Sequence, residues 1–131
     1  MNIIIVGGKG FIGSHIANRL LLKHNIVIID GWTTSYPGFS MIHRGSKGLE
    51  PVSELEKEHR NIARYHRNSL IKGIKCIDKW TFNNFMDNYL ESFNPDLVIN
   101  CGGLCEAILS QYVADFTFRS TVTSLQNIKR I

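Results

Sequence analysis

Asn2-Ile3-Ile4-Ile5-Val6-Gly7-Gly8-Lys9-Gly10-Phe11-Ile12-Gly13-Ser14 is the stretch on which the reading of the fold turns. Ile3 to Val6 is continuously apolar and β-branched, which suits a strand covered on both faces in a parallel sheet rather than an alternating strand with one wet face. Glycines follow at once, and then Ile16, Ala17, Leu20 and Leu21 set an apolar stripe at helical spacing. Asn25 breaks that helix, and Ile26-Val27-Ile28-Ile29 forms a second all-apolar strand ending in Asp30-Gly31. Residues 1–31 therefore predict a βαβ unit.

Beyond it, residues 32–49 carry Thr33, Thr34, Ser35, Pro37, Gly38, Gly45, Ser46 and Gly48 and read as a long irregular segment. From Pro51 to about Arg64, charges interleave with Val52, Leu55 and Ile62, as in an exposed helix with a thin apolar face. Glu56 and Arg60 form a favourable i,i+4 pair there. Ile74-Lys75-Cys76-Ile77 is a short third strand. Phe82, Phe85, Met86, Tyr89, Leu90 and Phe93 then recur at the spacing of a helix face. Pro95 stops that helix, Leu97-Val98-Ile99 is a fourth buried-type strand, and Cys101-Gly102-Gly103 turns the chain into a helical stretch from about Leu104 onward. The order β-α-β-α-β-α-β-α makes this an α/β chain with a Rossmann-like parallel sheet of about four strands flanked by helices.

Composition narrows the function classes. At 131 residues there is material for one domain, residues 1–131, without a separate second half. A hydrophobic share of 44%, a charged share of 20% and three prolines exclude disorder and low complexity. No apolar run approaches the roughly 18 residues of a transmembrane helix, and Ile3 to Val6 is too short for a signal-peptide core, so a cytoplasmic protein without membrane contact is expected. Cys76, Cys101 and Cys105 lack the companions of a zinc site, and reduced, mostly buried thiols are expected. The net charge of +4 concentrates its basic residues between His43 and Lys79. No aromatic-basic pattern accompanies them, so a solvated face is expected rather than a nucleic-acid partner.

The informative constellation is Gly7, Gly10 and Gly13 between strand and helix, with Asp30 ending the next strand. The first glycines permit a tight turn and a close backbone approach to a pyrophosphate, while Gly13 lets helix and sheet lie close. Backbone amides and the helix dipole then face the phosphates. Asp30 is placed to accept hydrogen bonds from the adenosine ribose hydroxyls, and its charge would repel a 2′-phosphate, which predicts NAD over NADP.

The glycine turn with Asp30 resembles the opening of the extended short-chain dehydrogenases/reductases, the NAD-dependent nucleotide-sugar epimerases and dehydratases. Phe93-Asn94-Pro95-Asp96-Leu97-Val98-Ile99-Asn100 is similar to that family's helix end and fourth strand, and Thr121 to Asn127 is a degraded form of its N-V-x-G-T-x-N helix, matching at Val122 and Asn127. The resemblance implies the strand order 3-2-1-4. It also implies cofactor contacts at Gly7, Gly10, Phe11, Ile12, Gly13, Asp30, Gly31, Asp78, Cys101, Gly102 and Gly103. Asp78 would lie on the adenine side, and Cys101 to Gly103 would line the cofactor.

The resemblance spans essentially the whole chain but only the first part of a family member. The family's Y-x-x-x-K helix has no counterpart, because Tyr36, Tyr65, Tyr89 and Tyr112 are followed four residues on by Ser40, Ser69, Phe93 and Phe116. Without a nearby lysine, a tyrosine with a pKa near 10 is a poor base at neutral pH, so no catalytic residue is assigned and catalysis by this chain alone is not expected. The order 3-2-1-4 leaves Leu97-Val98-Ile99 at a sheet edge without charge or proline to protect it. A homo-oligomer or a complementing subunit is expected to cover it, and a nucleotide-sugar would bind only with such a second chain. Two functions follow: a nucleotide-binding portion of an epimerase or dehydratase, or a non-catalytic Rossmann module or truncated remnant serving a protein partner.

Overall fold

The computed structural model describes residues 1–31, 42–45, 48–51, 53–78, 88–103 and 114–129. The first strand, β1 (Asn2–Val6), lies at the centre of a four-stranded sheet, between β2 (Asn25–Ile29) and a later strand, Leu97–Asn100. Between β1 and β2 runs α1 (Phe11–Leu20). The pairing is parallel throughout, with Ile4 opposite Val27 on one side and opposite Val98 on the other. A third neighbour, Lys75–Ile77, pairs outside β2, with Cys76 opposite Ile28. In chain order of these four strands the sheet therefore runs 3-2-1-4, as expected.

Within residues 32–49, expected to be irregular, the described part is regular. Two further strands, β3 (Ile42–Gly45) and β4 (Gly48–Pro51), pair antiparallel as a separate ribbon, with Gly45 opposite Gly48. Glycine on both sides of a two-residue connection is a hairpin signal, and the intervening charges and glycines obscure any apolar alternation that would mark the strands. Residues 32–41, Ser46 and Lys47 lie outside the described residues.

The next helix, α2 (Glu54–Leu70), is longer than the charge pattern predicts. Its start is fixed by Ser53, whose hydroxyl accepts the Glu56 amide at 3.2 Å, satisfying one of the unpaired donors of a helix start. The Glu56–Arg60 pair forms, with Nη2 to Oε1 at 2.7 Å. None of its residues is buried, in keeping with the thin apolar face expected of it. Gly73, at φ +85°, helps turn the chain into β5 (Lys75–Ile77). Of the predicted aromatic helix, the described part is α3 (Asn88–Phe93), and Phe82, Phe85 and Met86 lie outside the described residues. Asn94, at φ +47°, closes α3 just ahead of Pro95, a left-handed position asparagine tolerates. Then comes β6 (Leu97–Asn100) and, after residues 104–113, which are not described, α4 (Ala114–Phe118), a π-helical turn (Arg119–Thr123) and α5 (Ser124–Ile128).

Strand alternation sends the apolar run to both faces. Ile3, Ile5, Ile26 and Ile28 pack with Ala17, Ile71 and Ile74 on the side of α1 and α2. Ile4, Val6, Val27 and Ile29 pack with Leu90 and Phe93, and against Ile128, on the other. Each fully buried isoleucine contributes about 1.5–3 kcal/mol by leaving water, so the central pair of strands is the most strongly held part of the fold. Cysteines depart from expectation: Cys76 is exposed because β5 is a three-residue edge strand, and Cys101 is half-buried beyond the end of β6. Both are free thiols, and Cys105 lies outside the described residues. Among the described residues, no helix is long and apolar enough to cross a membrane.

Candidate functional site

The glycine turn sits where β1, β2 and β6 end. Gly7 leaves β1 at φ +72°, and its amide donates to the Ile29 carbonyl at 2.8 Å. A Cβ on Gly7 would stand 2.7–2.8 Å from the backbone of Cys101 and Gly102. The turn and the end of β6 are therefore in direct backbone contact, a separation only glycine permits. Gly13, buried in the first turns of α1, faces the Gly7 carbonyl and the Gly8 Cα so closely that a Cβ would collide with both. These two positions draw helix and loop against the sheet.

The loop folds back on itself through the Gly10 amide, which donates to the Gly7 carbonyl at 3.1 Å. Gly10 is also the N-cap of α1; it contributes no side-chain cap, and the first turn carries no acidic residue. The first amides of a helix lack intrahelical acceptors, so this end presents N–H groups and the positive end of the dipole. Phe11 and Ile12 belong to that first turn with their side chains exposed, 70% and 64%. What they place at the helix start is backbone rather than side chain. His15, one turn on, uses Nδ1 to donate to the Phe11 carbonyl at 2.8 Å, an assignment that follows because a carbonyl only accepts.

Asp30 follows β2 directly. Its amide donates to the Ile77 carbonyl at 3.0 Å, which brings the ends of β2 and β5 together. Its carboxylate oxygen Oδ2 accepts the Lys9 amide at 2.9 Å. The acid is thus held against the glycine turn itself, with Gly31 buried behind it. On the far side, Asn100 Oδ1 accepts the Gly102 amide at 3.1 Å and the Cys101 amide donates to the Val6 carbonyl at 2.9 Å. Cys101 and Gly102 accordingly stand against Gly7 on one side, with Gly103 following them at φ +148°, and Asp30 with Gly31 lies on the other. Asp78, exposed just past β5, follows Ile77 on that second side.

Two residues join the site that sequence reasoning did not select. Arg67, on α2, donates from Nε to the Lys9 carbonyl at 3.2 Å. Lys9 is therefore gripped through its backbone from both directions, by Asp30 at its amide and by Arg67 at its carbonyl. The signal for Lys9 was a cation inside the glycine turn. Arg67 is 58 positions away and only the fold brings it in. Cys76 lies opposite Ile28 on β5, and although the residue is exposed, partial burial of its thiol pushes it above the ordinary value of 9.0, the Lys9 ammonium pulling it down and the Asp30 carboxylate pushing it up.

A turn that a Cβ would fill, an uncapped helix start and an acid at the next strand end together fit a dinucleotide with its pyrophosphate at α1. Comparison with known proteins agrees in kind. The chain is 34% identical over 127 residues, 92% of its length, to an uncharacterized UDP-glucose epimerase, YtcB, of Bacillus subtilis (strain 168), and spans 40% of that relative. Its fold is similar to UDP-glucose-4-epimerase from Stenotrophomonas maltophila with bound NAD and formylated UDP-arabinopyranose, at a TM-score of 0.64 and 18% identity, with 97% of this chain and 32% of that one covered. It is likewise similar to the UDP-glucose 4-epimerase of Thermus thermophilus in complex with NAD, at a TM-score of 0.62 and 18% identity over 97% and 32% of the two chains. The sequence model of one family matches residues 3–128, from the start of the central strand to the end of the last helix, and by that match the chain belongs to the NAD dependent epimerase/dehydratase family.

Proposed function

We propose that residues 1–131 form one NAD-binding unit corresponding to the first part of a nucleotide-sugar epimerase or dehydratase. The observation that carries this reading is the junction of Gly7, Gly13 and Asp30: two glycines bring loop, helix and strand ends into backbone contact, and the acid faces the loop through the Lys9 amide. The first-turn amides of α1 at Phe11 and Ile12 would hold the pyrophosphate, Asp30 and Gly31 the adenosine ribose, Asp78 the adenine side, and Cys101 to Gly103 the opposite wall. Asp30 favours NAD over NADP. NAD, when bound, supplies a nicotinamide that takes up and returns hydride. The residues of this chain orient it, and none of its four tyrosines is followed four positions on by a lysine that would activate it toward the sugar. The proposed setting is the cytosol. A nucleotide-sugar would be bound together with a second chain, or a second copy, seated along β6.

Calorimetric titration of the chain with NAD tests this. Saturable binding, weakened about tenfold or more in Asp30→Ala by loss of charge-assisted hydrogen bonds, is the expected result. A folded chain that takes up no NAD would sink the reading and favour the alternative of a module that binds a protein partner.

A further inference from the structure

Where α1 and α2 lie side by side on the sheet, two histidines meet. His15 stands one turn into α1 and His66 near the end of α2, and their rings are 6.2 Å apart between centroids, inclined at 50°. The His15 ring is already oriented. Its Nδ1 donates to the Phe11 carbonyl at 2.8 Å, so Nε2 keeps its lone pair. The Phe11 ring packs against it at 4.8 Å. Donation from the second ring nitrogen to a backbone carbonyl is the arrangement that fixes the tautomer and direction of metal-bound imidazoles. At His66 the hydrogen bond uses the backbone carbonyl, which accepts the Ser69 hydroxyl at 2.6 Å, and so does not engage the ring. Both histidines are exposed, so a ring can turn without repacking the core.

We propose that His15 and His66 form a two-imidazole site for a divalent cation of the Zn(II) or Ni(II) kind, which on binding pins α1 to α2. Metal–nitrogen bonds of about 2.0–2.1 Å hold two rings on one ion roughly 5–6 Å apart between centroids. The observed 6.2 Å is closed by a small rotation of one exposed side chain. Among the described residues no third histidine, cysteine or carboxylate joins the pair. Water therefore completes the coordination, and the site exchanges its ion rather than sealing it in. The donor set selects the metal: imidazole suits Zn(II), Ni(II) and Cu(II), whereas Mg(II) and Ca(II) need oxygen ligands that the pair does not supply. The bridge stands behind the glycine turn, because Phe11 opens α1 and Arg67, next to His66, holds the Lys9 carbonyl. It is independent of dinucleotide binding.

The test is calorimetric titration of the whole chain, free of any histidine tag, with Zn(II), Ni(II) and Mg(II), and thermal unfolding in parallel. One Zn(II) or Ni(II) per chain and no uptake of Mg(II) are expected. An ion bound only by the folded chain, at about tenfold excess over its Kd, should raise the unfolding midpoint by about 5 °C. His15→Ala and His66→Ala, both at exposed positions, should keep the wild-type circular dichroism, weaken uptake about tenfold or more and abolish the shift in midpoint. His59→Ala, seven residues back on α2, and Cys76→Ser should leave uptake within about twofold. In proton magnetic resonance, the imidazole signals of His15 and His66 should move together as Zn(II) is added while those of His24 and His59 stay. No uptake of Zn(II) or Ni(II), uptake that survives both His15→Ala and His66→Ala, uptake lost with Cys76→Ser instead, or movement of one imidazole without the other would each overturn the proposal.

Discussion

At the scale of single residues, the two glycines that define the site make different demands. Gly7→Ala combines a left-handed backbone angle with a collision against Cys101 and Gly102. Its expected cost is about 2–4 kcal/mol, the strain of φ > 0 plus overpacking, read as a lower midpoint in urea. Cys76 offers a second check. Partial burial of the thiol in this otherwise exposed residue holds it above 9.0 and outweighs the downward pull of Lys9. A thiol whose folded pKa is raised favours the neutral form, so the stability it contributes is complete below its unfolded value and is lost as pH rises through the folded one. Alkylation of Cys76 at about pH 8, followed by mass spectrometry of its peptide, should be slower in the folded chain than in urea. Lys9→Ala should slow it further and Asp30→Asn should speed it; equal folded and unfolded rates would refute the assigned environment. The glycines and Asp30 were legible in the sequence because their tasks are local: a turn, a close approach, a strand end. Arg67 was not, because its bond to Lys9 depends on how α2 packs beside α1.

At the scale of elements, periodicity reads best where burial is complete. Ile3 to Val6 and Ile26 to Ile29 form continuous apolar runs, and they are the two central strands. The helix between them follows from the stripe that includes the buried Ala17. Reading fails where burial is thin. The helix α2 has no buried residue, so apolar spacing gave no guide to its end at Leu70, and the informative mark was Ser53 with Glu56 three positions on. The ribbon β3–β4 was likewise hidden, since a two-stranded ribbon between charges and glycines lacks a clean apolar face. A helix so exposed depends on its ends. Ser53→Ala should cost about 1 kcal/mol and accelerate amide hydrogen exchange in the first turn of α2 before any other element. Glu56→Gln, which breaks the surface pair with Arg60, should cost less than about 0.5 kcal/mol. If Ser53→Ala left exchange in α2 unchanged, the cap would have no part in holding the helix.

At the scale of the whole molecule, the described sheet is packed on both faces and ends at β5 on one side and β6 on the other. Among the described residues β6 pairs only with β1, yet its sequence, Leu97-Val98-Ile99, carries neither charge nor proline. Leu97 is 41% exposed, and Val98 and Ile99 are only half-buried. Unprotected apolar edges of this kind pair with other strands or are covered by another surface. The strand is also tied at its base, where the Asp96 amide donates to the Asn2 carbonyl and the Asn2 amide donates back to the Asp96 carboxylate, so its start is fixed in register beside β1. The chain spans 40% of the length of the curated relative and about a third of the two solved epimerases compared, so in those proteins much further chain is available to meet the corresponding edge. For this chain by itself the expected outcome is association: light scattering should give a mass above 14.9 kDa that rises with concentration. Leu97→Lys places a charge at the exposed end of the strand while leaving the packing of Val98 and Ile99 in place, and it should return the mass to that of one chain with the circular dichroism unchanged. A wild-type chain that stays monomeric at high concentration, or a Leu97→Lys variant that associates as before, would show that β6 is not the surface through which copies meet.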